Sequence, residues 1–225
     1  LMNDSLRQQG LVPHFEPYTE LGCTMLGGGY EKVPPAVLAV TGPDAIVDWV
    51  LVELRSVQDP TLVRSSRAAL VQRDGDVVEV DGTNLVRFPL PPGNYHLCVR
   101  HRNHLGVMTA APVGIGPAPG LLDLGSPATS TWGIDARKVM AGKALLWCGE
   151  VSGDRTLRYT GPDNDRDRIL LRVGGIVPTA TVTGYLTEDL NMDGRVKYTG
   201  TRNDRDRILQ NVGIVPTEER YEQVP

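Results

Sequence analysis

Large rings are scarce in this chain: phenylalanine, tyrosine and tryptophan make up 5% of 225 residues, and phenylalanine occurs only twice. With 25 glycines and 17 prolines beside them, this composition suits turn-rich β structure better than a packed helical bundle. No stretch approaches the roughly 20 apolar residues that a membrane-spanning helix needs. An excess of positive charge is missing too. The 27 acidic and 23 basic side chains give a formal charge of −4, so nothing electrostatic points to nucleic acid or an anionic membrane as a partner, and no membrane insertion is expected. Cysteine is limited to Cys23, Cys98 and Cys148. Three thiols allow at most one internal disulfide, their spacing matches no metal-ligand set, and they are expected mainly as small buried hydrophobes. There is no Ser-His-Asp arrangement, phosphate loop or HExxH, and the scattered carboxylates form no assignable acid/base pair, so the chain is expected not to be an enzyme. Leu1 in place of an initiator methionine is the start expected of a processed or fragmentary mature chain.

What is present is a repeat. Asp189–Pro216, DLNMDGRVKYTGTRNDRDRILQNVGIVP, has a close copy at Glu150–Pro178, EVSGDRTLRYTGPDNDRDRILLRVGGIVP, and 39 residues separate Tyr159 from Tyr198. Such a pair reads as two small supersecondary units that bury their apolar faces against each other. In the second copy Asp189, Asn191 and Asp193 alternate and Gly194 follows. That is the opening of a calcium loop, with oxygen ligands at its first, third and fifth positions and a glycine at the sharp turn. The carbonyl of Arg195 is the expected next ligand, and Val196 the apolar residue that ties the loop to its neighbour. Position twelve is Gly200, which has no side-chain oxygen. The closing carboxylate must then lie beyond an insertion, YTGTRN, where Asp204 and Asp206 are the candidates. The first copy offers Glu150, Ser152 and Asp154, then Asp165 and Asp167, but Arg155 stands where the glycine should be. Calcium takes about six to eight oxygens, and Ser152 is a poor anionic ligand, so the first site is expected to be weaker or more hydrated. These residues could instead simply mark turns and a solvated helix start; the same acidic spacing occurring twice argues against that.

Each copy predicts a short helix. Asn164 and Asn203 are the expected N-caps, Asp165 and Asp204 sit in the first turn, and Ile169, Leu170 and Val173 (Ile208, Leu209 and Val212) share a face. Gly174 and Gly213 are expected to end the helices. Arg166, Arg168, Arg205 and Arg207 alternate with the acids, and surface pairs of this kind are worth about 0–1 kcal/mol each.

Upstream, residues 1–35 hold Pro13, Pro17, Pro34 and Pro35 and a glycine triplet at 27–29, with no sustained period. They predict an extended arm that lies either on its own domain or on a neighbouring copy, where it could pair with an exposed sheet edge. Residues 36–116 predict strand after strand: AVLAV, AIVDWVLVELR, LVRSSRAALVQR, DVVEV, LVRFPL and NYHLCVRHR, separated by TGPD, RDGD, DGTN and PPGN. The fold class expected is mainly β, an Ig-like or jelly-roll-type β-sandwich, followed by the small helical calcium-binding pair at 150–225. In AIVDWVLVELR, strict alternation puts Val47, Trp49, Leu51 and Glu53 on one face and Ile46, Asp48, Val50, Val52 and Leu54 on the other, a strand apolar on both sides and therefore central. His96, His101 and His104, with His14 from the arm, suggest a metal, but alternation points His101 away from His96, and a basic strand end with Arg100 and Arg102 is the simpler expectation. Residues 117–149 predict a bridging segment with a helical turn at 136–140 and a strand at 144–147. Trp132 and Trp147 are interdomain anchors or, if exposed together with Trp49, a platform for sugar.

Taken together, EPYT, GGG, IVDWVLVELR, QRDGDVVEVDG, PPGNY, VRHRNHLGVMTAAP, TWG, DARK and the two YTG..NDRD repeats resemble the C-terminal regions of a family of secreted and cell-surface proteins of Bacteroidota, nearly end to end. The resemblance implies an extracellular, cell-surface structural protein with dockerin-like calcium repeats; some members look like subunits of calcium-stabilised filaments joined by a donated N-terminal strand. It implies Ca2+ on Asp189, Asn191, Asp193, Arg195, Asp204 and Asp206, and on Glu150, Ser152, Asp154, Thr156, Asp165 and Asp167, and self-association as the partnership. Asn3-Asp4-Ser5 is formally an N-glycosylation sequon, and Asp4-Ser5-Leu6 looks like the O-glycosylation signal of secreted Bacteroidota proteins, so a glycan on Asn3 or Ser5 is a further expectation.

Overall fold

The computed structural model describes residues 1–118 and 120–225. It is mainly β, and its sheets are antiparallel. The principal sheet runs β3-β2-β1-β4-β5, with β6 also paired to β4. Its strands are β1 (Ile46–Arg55), β2 (Val63–Gln72), β3 (Val77–Val78), β4 (Gly93–His101), β5 (His104–Met108) and β6 (Val113–Ile115). β1 is buried at every position, as its two-sided apolar sequence demands of a central strand. Trp49 and Leu51 pack with Ala68, Leu70 and Val78 on one face, while Val50 and Val52 pack with Ala69, Val86 and Phe88 on the other. A register shift between Ile46 and Asp48 is a β-bulge that breaks the alternation. Ile46 therefore joins the cluster of Trp49 instead of the opposite one.

Among the described residues, neither face is covered by a second large sheet. The expected strand AVLAV is instead the helical turn α2 (Pro35–Leu38), begun by Pro35 at its first position, with α1 (Ser5–Gln8) before it. LVRFPL is not a strand beyond the single bridge of Leu85 to Val78, because Pro89, Pro91 and Pro92 have no N–H to give a ladder. The N-terminal segment forms the second layer. It is not extended: Glu16 N–H donates to Glu31 O (2.9 Å) and Val33 N–H to His14 O (2.9 Å), folding it back on itself. The Glu16 carboxylate holds the bend by accepting from the N–H groups of Tyr18 (2.6 Å), Thr19 (3.1 Å) and Tyr30 (3.2 Å). Leu6, Val12, Tyr18, Val33 and Val37 then lie on the chain's own Trp49 face, each burial worth roughly 2 kcal/mol before entropy is counted.

The bridging segment holds a hairpin of β7 (Lys138–Met140) and β8 (Lys143–Leu145). A strand replaces the expected helical turn because Ala141 and Gly142 both take positive φ, 49° and 75°, the requirement of a two-residue hairpin turn. Trp147 enters the core of the repeats and Trp132 packs edge-on against His96 at 5.4 Å. With Trp49 and Trp147 buried and Trp132 half-buried, the tryptophans form no exposed platform. All three cysteines are free; Cys98 is fully buried.

The repeats comprise β9 (Thr156–Arg158), α3 (Asp165–Arg172), β10 (Thr181–Thr183), β11 (Arg195–Lys197), α4 (Arg205–Val212) and β12 (Glu219–Tyr221). They clasp one another crosswise. The strand of the second loop, β11, pairs with β10, which follows the first helix, and the strand of the first loop, β9, pairs with β12, which follows the second. Thr160 Oγ1 donates to Pro216 O (2.7 Å) and Thr199 Oγ1 to Pro178 O (2.9 Å), the same contact in both directions. Leu157, Ile169 and Val173 from one copy and Val196, Ile208 and Val212 from the other make a single core. Both helices are only eight residues long.

Candidate metal centre

In both copies the chain loops from an acidic first position into a short strand and returns at a helix start, and the asparagine before that helix fixes the geometry. Asn164 Oδ1 accepts from Asp167 N–H (3.0 Å) and Asn203 Oδ1 from Asp206 N–H (2.9 Å), satisfying a first-turn donor that the helix leaves free. The next residue is thereby aimed back into the loop. Asp204 Oδ1 accepts from the N–H groups of Leu190 (2.8 Å) and Asn191 (3.2 Å), and Oδ2 from Lys197 N–H (2.8 Å). Asp165 does the same with Val151 (2.8 Å), Ser152 (3.1 Å) and Arg158 (2.9 Å). Both carboxylates are fully buried. Of the two candidates at each helix start, Asp204 and Asp165 are the ones inside the loop. Asp206 and Asp167 turn the other way, each accepting from the capping asparagine amide, at 2.8 and 2.9 Å, and pairing with Arg205 or Arg166.

At the opposite end of the second loop, Asp189 accepts from Asp193 N–H (3.1 Å) and Gly194 N–H (2.7 Å), and Asp193 accepts from Arg195 N–H (3.1 Å). In the first loop, Glu150 accepts from Ser152 Oγ (3.0 Å) and Gly153 N–H (2.5 Å), and Asp154 accepts from Thr156 N–H (2.8 Å). Arg155, the residue that departs from the glycine rule, takes φ 65°, close to the 81° of Gly194. The loop backbone therefore survives the substitution at the cost of a left-handed arginine. The surrounding ion pairs go to Asp154, Asp167, Asp193 and Asp206. Among the described residues, Asp189, Asp204, Glu150 and Asp165 have none.

Burial without a counter-ion pushes these acids upward. Desolvation raises Asp204 to about 7 and the neighbouring Asp189 carboxylate adds to it, against the pull of three N–H donors. Desolvation takes Asp189 to about 6 despite its N–H bonds and the field of Arg102. Asp165 reaches about 7 by burial, with Glu150 adding to it, and burial also raises Glu150. One acceptor is left over: Asn191 Oδ1, at the third position of the second loop, is buried and accepts no hydrogen bond. A hard cation suits this donor set of carboxylate, amide and carbonyl oxygens. The oxygens are held by N–H groups rather than converged, and among the described residues no three His, Cys, Asp or Glu side chains gather as a metal-holding group.

The second loop also has supports that the sequence did not single out. The turn between β4 and β5 reaches it: Asn103 Nδ2 donates to Asp189 O (3.0 Å) and Thr187 O (3.0 Å), and Arg102 donates to Leu186 O. Arg102 is itself held by Asp48 (3.1 Å), which also binds His101 Nε2 (3.1 Å) and Tyr185 OH (2.6 Å). His101 Nδ1 lies 2.9 Å from His104 Nδ1. His96 lies elsewhere, bonded to Thr109 O (3.0 Å), and His14 faces Val33 O (3.2 Å). The basic strand end expected at residues 100–104 is thus an internal polar joint between sheet and repeats. From the N-terminal segment, Asn3 Nδ2 donates to Met192 O (3.2 Å) and Gln9 Nε2 to Asp193 O (2.8 Å). A glycan on Asn3 would replace the first of these contacts, while Ser5 Oγ donates to Asn3 Oδ1 at 2.6 Å. The only advance signal for these supports was the polar density of RHRNH. Comparison with protein-family models, curated proteins and solved structures finds no match to the chain.

Proposed function

We propose that the chain is a non-enzymatic extracellular structural subunit. Its C-terminal repeats bind calcium as a dockerin-like pair, and it assembles with copies of itself into a calcium-stabilised surface filament, its N-terminal segment packing on the neighbouring sheet. The observation that carries the calcium reading is that Asp189 and Asp204 are both fully buried without an ion pair, the charge of the first raising the pKa of the second, in a loop whose Asn191 Oδ1 is unsatisfied. Buried charge of this kind is stable only when paired, protonated or bound to metal. Calcium on Asp189, Asn191, Asp193, the Arg195 carbonyl and Asp204, and more weakly on the matching oxygens of the first loop, supplies the missing positive charge and adds folding free energy. The assembly reading is supported by residues 1–38. They contribute no strand to the principal sheet and cover the chain's own Trp49 face, so exchange of this segment between copies would rebuild the same contact on a neighbouring sheet.

Electron microscopy of the purified chain in millimolar calcium and again after chelation tests the proposal. The expected result is ordered filaments that loosen without calcium, and impaired assembly of the Asp193→Ala, Asp204→Ala double variant. Normal assembly of that variant would remove calcium from the account. A monomeric module that docks a scaffold protein or glycan is the second reading, favoured by Ile176 and Val177 and their counterparts Ile214 and Val215, which are 89%, 55%, 73% and 48% exposed. Single particles under both conditions, together with partner binding that survives removal of residues 1–30, are its signature.

A further inference from the structure

The sharpest difference between the two loops is what touches them from outside, and it concerns the segment on which assembly depends. A side chain at Gly194 would place its Cβ 2.7 Å from Leu11 Cδ1 and 2.9 Å from Gln9 Nε2. The N-terminal segment is therefore pressed against the turn of the second loop, at the residue whose N–H binds Asp189. Asn3 and Gln9 grip the loop by its carbonyls at Met192 and Asp193, which run between its third and fifth positions. Those contacts can form only if the loop backbone holds its curve. The first loop meets a different neighbour: its equivalent position is Arg155, whose side chain is 58% exposed and lies 3.6 Å from Glu222 of the C-terminal stretch.

We infer that the second loop is a calcium-dependent latch for residues 1–12: cation binding fixes the carbonyls that Asn3 and Gln9 grip, and docking of the segment in turn tightens the hold on the cation. The inference rests on the calcium reading proposed above and names how calcium would act on assembly. The loop that receives a segment's first residues belongs to the chain whose sheet that segment covers, so the same contact holds the segment at home or joins a neighbouring copy. Coupling of this kind is reciprocal. Whatever factor the segment adds to calcium affinity, calcium adds to docking of the segment. Two hydrogen bonds of ordinary strength set that factor at about tenfold.

Hydrogen exchange of the full chain with and without calcium, together with calorimetric calcium titration of the Asn3→Ala, Gln9→Ala double variant, tests this. Both residues are exposed and outside the core, so the variant is expected to fold. The expected results are an approximately tenfold calcium-induced slowing of exchange in residues 1–12 and a second-site affinity about tenfold weaker in the variant, with the first site unchanged. Calcium binding that protects residues 189–204 but leaves residues 1–12 and the variant's affinity unaltered overturns the latch alone. Absence of any calcium heat or loop protection overturns the calcium reading and the latch with it.

Discussion

The two repeats share their loop backbone, their inward-turned aspartates and their asparagine caps, yet position six is Arg155 in one and Gly194 in the other, at φ 65° and 81°. Local geometry alone does not explain the difference, since both copies adopt the same conformation. The neighbours do: a Cβ at Gly194 would meet Leu11 and Gln9, whereas the Arg155 side chain is 58% exposed and pairs with Glu222 at 3.6 Å. The first loop is instead held by the C-terminal stretch, where Glu222 N–H donates to Arg155 O (2.9 Å) and the Glu222 side chain reaches Arg100 at 2.8 Å. A repeated motif thus keeps the hydrogen bonds of its inward-turned aspartate and of its asparagine cap, while its first position and its outer surface diverge to suit each partner segment.

Where the repeats are equivalent, matched substitutions should cost the same. Ile169→Ala and Ile208→Ala, both at fully buried positions of the one shared core, are expected to destabilise by about 2–5 kcal/mol each in denaturant unfolding. A large disparity would mean that the copies do not share a core. Where they diverge, the same position should respond with opposite signs. Gly194→Ala adds left-handed strain and a clash with Leu11, about 2–4 kcal/mol destabilising. Arg155→Gly relieves strain and should stabilise by about 0.5–1 kcal/mol; thermal melts of the two variants decide it. Asn103→Ala withdraws the donor from two carbonyls beside the second loop only. It should cost about 1–3 kcal/mol and weaken calcium binding at the second site while sparing the first.

The smallest expected effect is on pH. His104 is half-buried, and desolvation of its ring holds its pKa well below the usual histidine value, with the charges of His101 and Arg102 adding to this and Asp48 opposing. A base with a depressed folded pKa stabilises the fold above its unfolded pKa and loses that contribution as pH falls. With an unfolded value of about 6.5, the loss between pH 7 and pH 6 is about 0.7 kcal/mol. Asp48 lies far below this window, its carboxylate favoured by Arg102 and His101 against the cost of burial. Unfolding curves in saturating calcium should show this slope, and His104→Gln should flatten it.

Much of this architecture was legible in the chain. The two-sided apolar run of β1, the asparagine caps, the shared helix faces and the recurrence of acids at each helix start follow from periodicity and from residue chemistry at fixed spacing. The choice of Asp204 over Asp206 was not, because it depends on which side of the cap each side chain leaves the helix. Ile46 was misplaced because a bulge is invisible to strict alternation. The apolar residues of LVRFPL predict a strand, although Pro89 and the Pro91-Pro92 pair that follows weigh against a ladder. The contacts of Asn3, Gln9, Arg102 and Asn103 with the second loop span between 84 and 189 positions of sequence. No local pattern announces a contact of that range.

Calorimetric titration of the chelator-treated chain with calcium tests the central claim most directly. Two binding events are expected, the tighter lost in an Asp189→Ala, Asp204→Ala variant and the weaker lost in a Glu150→Ala, Asp165→Ala variant. A wild-type chain that takes up no calcium, and melts at the same temperature in calcium and in chelator, would contradict it.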